Sequence, residues 1–120
     1  MEENINYYFA NNNVYTKQYK IVSLLFYKNI KILTYVCPNK TIIPSTLNNL
    51  EELYFHQDID IIPKYFNHLK ILYCNNTGII NVPTFLNLYY LDCSNNPDLI
   101  KLPENYKNIK KIIYKNTGIK

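Results

Sequence analysis

Arginine and tryptophan are missing from this chain of 120 residues, alanine occurs once, at Ala10, and only two glycines are present. Without Arg there is no planar fork for bidentate contact with guanine or phosphate, so nucleic-acid recognition would rest on lysine point charges. No Gly-rich loop that could cradle a phosphate can be found. No apolar run reaches the roughly 18 residues that a membrane-spanning helix needs. Met1-Glu2-Glu3-Asn4 is acidic and polar where a secretory signal would be basic and then apolar. The expectation is a cytoplasmic protein with no membrane segment. Three cysteines, Cys37, Cys74 and Cys93, make an odd count that suits a reducing compartment.

Catalytic and metal chemistry lack their parts as well. His56 and His68 are the only histidines, and neither shares a short metal-site spacing with Cys, Asp or Glu. No nucleophile, base and orienting group can be placed together, and beyond the terminal Glu2-Glu3 the only adjacent carboxylates are Glu51 and Glu52. The expectation is no enzyme activity, no cofactor and no metal.

What the chain has in excess is Asn, Ile, Lys and Tyr, all residues with AT-rich codons, so its 13 tyrosines carry less meaning than they would elsewhere. The formal net charge of +4 comes from lysines spread along the chain, densest at Lys107, Lys110, Lys111, Lys115 and Lys120.

The dominant signal is an internal repeat. Leu69, Leu72 and Cys74 are followed by Asn75-Asn76, Ile79, Val82 and Pro83; Leu88, Leu91 and Cys93 are followed by Asn95-Asn96, Leu99, Leu102 and Pro103. Repeat openings fall at Ile30, Leu50, Leu69, Leu88 and Ile109, spaced by 20, 19, 19 and 21 residues, and Pro44, Pro63, Pro83 and Pro103 keep the same beat. Such a period marks a solenoid of stacked coils. Within a unit the fourth and sixth positions alternate as a short strand facing inward, and the first anchors its start. Asp58, Asn76-Thr77-Gly78, Asn95-Asn96-Pro97 and Asn116-Thr117-Gly118 end the strands, because Asn, Gly and Pro supply bends. Proline follows where no ladder donor is needed. Cys74 and Cys93 take the sixth, inward position of adjacent coils and read as small buried residues, whereas Cys37 sits at a strand end as a more exposed thiol.

Residues 1–29 do not fit the period. They read as a cap over the first exposed coil, either a hairpin pairing Ile21–Phe26 with Ile30–Tyr35 or a helix over Val14–Phe26.

Leu88-Tyr89-Tyr90-Leu91-Asp92-Cys93-Ser94-Asn95-Asn96 resembles the strand-and-turn segment L-x-x-L-x-[LC]-x-x-N of the leucine-rich repeat. The aliphatic-Pro step is similar to that of bacterial effector repeats, and Asn-rich, Cys-Asn repeats are similar to those of large DNA viruses of amoebae. The resemblance covers residues 30–119. It implies an α/β-type repeat solenoid with a parallel β-sheet on its concave face, irregular, 3₁₀ or extended convex segments, and few or no long helices. The family's ladder asparagine matches only at Asn96; Pro38, Asp58, Thr77 and Thr117 hold the same place in the other coils.

Positions three, five and seven of each unit are then expected to stack in columns on the concave face. The third positions are Ile32, Glu52, Ile71, Tyr90 and Lys111; the fifth are Thr34, Tyr54, Tyr73, Asp92 and Ile113; the seventh are Val36, His56, Asn75, Ser94 and Lys115. Tyr54, Tyr73, Tyr90 and Ile71 form the apolar centre of a candidate protein-binding face, with Glu52, His56, Asn75, Asp92 and Lys111 as its polar rim. The same tyrosines also read as frequent residues that stabilise their cross-strand neighbours. The expected partner is another protein, of the same cell or of a host. Two alternatives stand beside it: self-association through the C-terminal coil, where Ile109, Ile112, Ile113 and Ile119 leave core and sheet edge open, and weak nucleic-acid binding through the C-terminal lysines.

Overall fold

Alternation with a period of two places the fourth and sixth residues of each repeat on one side of an extended segment, so several such segments can share one apolar layer. The computed structural model describes residues 7–10, 13–16, 31–35, 45, 47–56, 58–59 and 61–120. The strands are β1 (Tyr7–Ala10), β2 (Asn13–Thr16), β3 (Ile32–Tyr35), β4 (Glu52–Phe55), β5 (Ile71–Tyr73), β6 (Tyr90–Asp92) and β7 (Lys111–Ile113). They lie in one sheet in chain order, β1 against β2 antiparallel and every later neighbour parallel. From β3 to β7 the chain makes four turns of a parallel-strand β-solenoid. Among the described residues the only helical piece is a 3₁₀ turn at Tyr106–Asn108, so no helix carries the α/β part of the expected class. No helix among them is long and apolar enough to cross a membrane.

The antiparallel pair is not where the hairpin was expected. Among the described residues the antiparallel pair joins Tyr7–Ala10 to Asn13–Thr16, and β3 pairs in parallel with β2 and β4; Ile21–Phe26, the other half of the expected hairpin, lies outside the described residues. The helix alternative loses its start, since Val14 lies in β2, and residues 17–30 are outside the described set.

The core follows the repeat. Leu33, Leu53, Leu72 and Leu91 are register partners across four strands, and all are fully buried. Leu50, Leu69 and Leu88 close the layer from the first position, and Ile62, Phe66, Val82 and Phe85 meet it from the return segments. Truncating one such leucine to Ala costs about 2–5 kcal/mol, because the stack cannot collapse into the hole. Tyr114, the sixth residue of the last coil, is 46% exposed for want of a further described coil over it.

One closing turn recurs in every coil. Leu50, Leu69, Leu88 and Ile109 each donate a backbone N–H to the carbonyl three residues back, at Leu47, Phe66, Phe85 and Tyr106. Proline does not set this phase: Pro63, Pro83 and Pro103 stand 6, 5 and 6 residues before the next opening, whereas the closing turn always starts three before it. Phe66 and Phe85 therefore point inward, and Leu86, third after its proline, is 84% exposed.

Beyond the turn, coils are joined by shared acceptors. The carbonyl of Lys31 takes the amides of Glu51 and Glu52, that of Glu51 takes Lys70 and Ile71, and that of Lys70 takes Tyr89 and Tyr90. The same second positions carry charge, and the Glu51 carboxylate sits 3.6 Å from Lys31 Nζ and 3.2 Å from Lys70 Nζ.

The ninth position holds the strand-ending turns together. Asn96 is fully buried, and its Nδ2 donates to the carbonyls of Cys74, Cys93 and Ser94 at 2.9, 3.0 and 3.1 Å. Its Oδ1 accepts from the amides of Thr77 and Gly78 at 3.0 and 2.8 Å, so one side chain satisfies backbone groups in two coils. Threonine in the same place serves mainly its own coil: the hydroxyls of Thr77 and Thr117 donate to the carbonyls of Cys74 and Tyr114 at 2.8 and 2.9 Å, and Thr77 has only a longer contact, 3.5 Å, to Asn96 Oδ1 in the next coil. Pro38 is outside the described residues, and Asp58 is exposed. Just before, at the eighth position, Asn76, Asn95 and Asn116 adopt φ of 56°, 58° and 56°, the left-handed region that Asn tolerates better than other side-chain-bearing residues.

Candidate binding face

Strand alternation that buries the fourth and sixth residues sends the third, fifth and seventh to the opposite side of the sheet. The columns form in register: Ile32, Glu52, Ile71, Tyr90 and Lys111 are successive partners, and so are Thr34, Tyr54, Tyr73, Asp92 and Ile113. Glu52, Tyr54, Ile71, Tyr73, Asn75 and Tyr90 are half-buried, and His56, Lys111 and Lys115 are exposed. Val36 and Cys37 lie outside the described residues.

The tyrosines form a ladder. The Tyr54 and Tyr73 rings stack with centroids 5.0 Å apart and planes 24° from parallel. That separation is close to the roughly 4.8 Å between neighbouring strands, so the rings stand on the sheet with their faces along the solenoid axis. Tyr73 and Tyr90 continue it at 5.3 Å and 37°. The hydroxyls are tied: Tyr54 donates to Glu52 Oε1 at 2.6 Å, and the Tyr73 and Tyr90 oxygens are 2.9 Å apart. The bond to Tyr73 is the main cause that pushes Tyr90 up to about 12, with desolvation, Tyr73 and Asp92 adding to it.

Asp92 differs from the expected rim. It is buried, and its Oδ1 accepts the Ser94 amide at 3.1 Å, so the carboxylate serves the end of its own strand. Ser94 is buried beside it and its hydroxyl oxygen accepts the Lys115 amide. The polar groups a visitor meets are Glu52, His56, Asn75 and, at the far end, Lys111 and Lys115.

This arrangement has a definite chemical character. Ring faces in the middle of the ladder are occupied by neighbouring rings, so a planar ligand cannot intercalate without breaking the stack. A visitor meets ring edges, hydroxyls and the half-buried side chain of Ile71, a broad amphipathic strip with few rotatable bonds. No group of three or more His, Cys, Asp or Glu that could hold a metal ion occurs among the described residues. Cys74 and Cys93 are fully buried and free, and burial pushes both thiols up, Cys74 well above the ordinary value and Cys93 to about 11.

Two features escaped the reading of the sequence. The Lys31, Glu51, Lys70 column is visible in hindsight as alternating charge at the second positions. The diagonal Tyr73–Tyr90 bond has no signal of its own, because the two residues occupy different columns.

Comparison with protein-family models, curated proteins and solved structures found no match.

Proposed function

We propose that this chain is a small leucine-rich-repeat protein of the short type that binds another protein through the tyrosine-bearing face of its sheet. The observation that carries the reading is the Tyr54–Tyr73–Tyr90 ladder, in which three half-buried rings are held in place by stacking and by hydroxyl bonds before any partner arrives. A surface ordered in advance loses little entropy on binding. The leucine-rich-repeat assignment draws support from the coil length, the strand-and-turn motif around Leu88–Asn96 and the inter-coil role of Asn96. The function is non-catalytic, and the protein acts in the cytoplasm.

The test is capture of partners from lysate of the source cells with the wild-type chain beside Tyr54→Ser/Tyr73→Ser, both checked for fold by circular dichroism. A protein retained by the first and lost by the second supports the face. Identical sets from a folded variant remove it.

A second reading is self-association through β7. Its outer edge has no strand beside it among the described residues, and Ile112, Ile113 and Ile119 around it are only half-buried. Open edges pair with other chains. Sedimentation over a wide concentration range decides it: growth of mass with concentration supports the reading, and a constant monomer mass ends it.

A further inference from the structure

Across the core from the sheet, the return segments leave a second apolar surface that the tyrosine face does not explain. Ile61, Ile80 and Ile100 come from three successive coils and are 79%, 62% and 69% exposed. Between these segments lies a groove of about 680 Å³, with Ile61, Ile80, Val82 and Leu102 among its lining residues and Lys64, Lys101 and Glu104 bringing charge. Exposed isoleucines that recur on three consecutive coils, two of them lining one groove, are a pattern unlike the isolated exposed leucine that any protein carries.

The backbone of these segments points to the kind of occupant. Neither Ile80–Thr84 nor Lys101–Glu104 is helical except where the latter turns towards Tyr106, and among the described residues no backbone hydrogen bond joins one segment to the other. Pro103 accepts from Tyr106, while the amides of Ile80, Asn81, Val82, Lys101 and Leu102 have no backbone acceptor among the described residues. Free donors and acceptors beside aliphatic side chains are what an added extended segment uses: its backbone supplies hydrogen bonds and its alternate side chains fill the apolar floor. A lipid surface would cover the isoleucines and leave those amides without partners. Lys64 and Lys101, both exposed, outnumber Glu104, so the charge favours a carboxylate on the visitor.

We propose that this groove binds an extended peptide segment of a partner protein, one with aliphatic residues at alternate positions flanked by Asp or Glu. The site is separate from the tyrosine face and stands whether or not that face binds anything.

The experiment is selection of a random peptide library displayed on phage against the full chain. Binding of the enriched peptides is then measured by fluorescence anisotropy on wild type, Ile61→Ser/Ile80→Ser, Lys64→Glu/Lys101→Glu and Tyr54→Ser/Tyr73→Ser. All substituted groove residues are exposed, and circular dichroism confirms that each variant keeps the fold. Enriched sequences should alternate aliphatics and carry acids, and bind both groove variants at least about tenfold more weakly, the loss expected for removing an anchor, while the tyrosine variant is unchanged. The proposal falls if no sequence is enriched, if the enriched sequences are basic, or if they bind the groove variants as well as wild type. It also falls if phosphatidylserine vesicles bind wild type but not Ile61→Ser/Ile80→Ser while the peptides do not, which would make the isoleucines a lipid contact.

Discussion

Tyr73 and Tyr90 are not register partners, yet their hydroxyl oxygens lie 2.9 Å apart. Tyr73 pairs with Asp92 and Tyr90 with Ile71, so the contact runs diagonally between β5 and β6, a reach that only long side chains have. It turns two separate columns into one ladder. The geometry also fixes an order of dependence, since Tyr73 touches both of the other rings and they are joined through it.

Replacing Tyr73 with Phe keeps the stack and removes the shared hydroxyl bond. Tyr90, raised to about 12 chiefly by that bond, should then titrate closer to the ordinary tyrosine value. Ultraviolet or NMR titration of the phenols reads this directly. The sign for stability follows from the raised folded-state value: the contribution is whole below the unfolded-state value near 10 and fades as pH climbs towards 12. Wild type should therefore lose stability over that interval more steeply than Tyr73→Phe, and equal slopes would show that the hydroxyl bond does not govern Tyr90.

Asn96→Ala would strip six hydrogen bonds from the interface of two coils and leave buried amides and carbonyls unanswered. A loss of about 3 kcal/mol or more in urea denaturation is expected, since each buried orphan costs about 1–3 kcal/mol. Asn96→Thr should lose less, because threonine keeps the bond to the carbonyl three residues back, as it does at Thr77 and Thr117. Equal losses for Ala and Thr would refute that ranking.

Cys74 and Cys93 should resist thiol reagents while the chain is folded. Burial raises both, and the thiolate is the reacting form, so at about pH 8 little of it exists even where a reagent could reach. In a Cys37→Ser background, modification by an aromatic disulfide should wait for denaturant. Prompt labelling under native conditions would mean that the core opens far more readily than its packing indicates.

Glu51→Gln should weaken the chain slightly at neutral pH and not at all in acid. The hydrogen bond from Lys70, aided by the charges of Lys70 and Lys31, holds the Glu51 carboxyl below its ordinary value. Its stabilisation is thus present above the unfolded-state value and lost as pH falls through the folded one. Thermal melts of the two proteins should converge on acidification, and also at about 1 M salt, where surface ion pairs are screened. A difference that persists in acid would assign the effect to packing.

Much of the sheet was legible in the sequence because each column is defined by counting from the strand opening, and the register pairs Ile32 with Glu52 and Thr34 with Tyr54 on that count. The rest failed where counting does not reach. Asp92 sits at an outward position and yet turns back to the Ser94 amide, a choice made by a local hydrogen bond and not by periodicity. The hairpin at β1 and β2 lies in a stretch without the repeat, where short apolar runs fit strand and helix alike. The groove was invisible because the residues that line it stand at different distances from the opening in each coil, Ile62 twelve residues on, Val82 thirteen and Leu102 fourteen.

The closing turn separates the two sides of the molecule. Because each coil resets its phase three residues before the next strand, additions upstream of that turn are taken up on the back and never reach the sheet, as the coils of 19 and 21 residues already demonstrate. In an evolving lineage the front can stay fixed while the back drifts, or change letter by letter while the back stays put. One short chain can in this way carry two surfaces with separate histories.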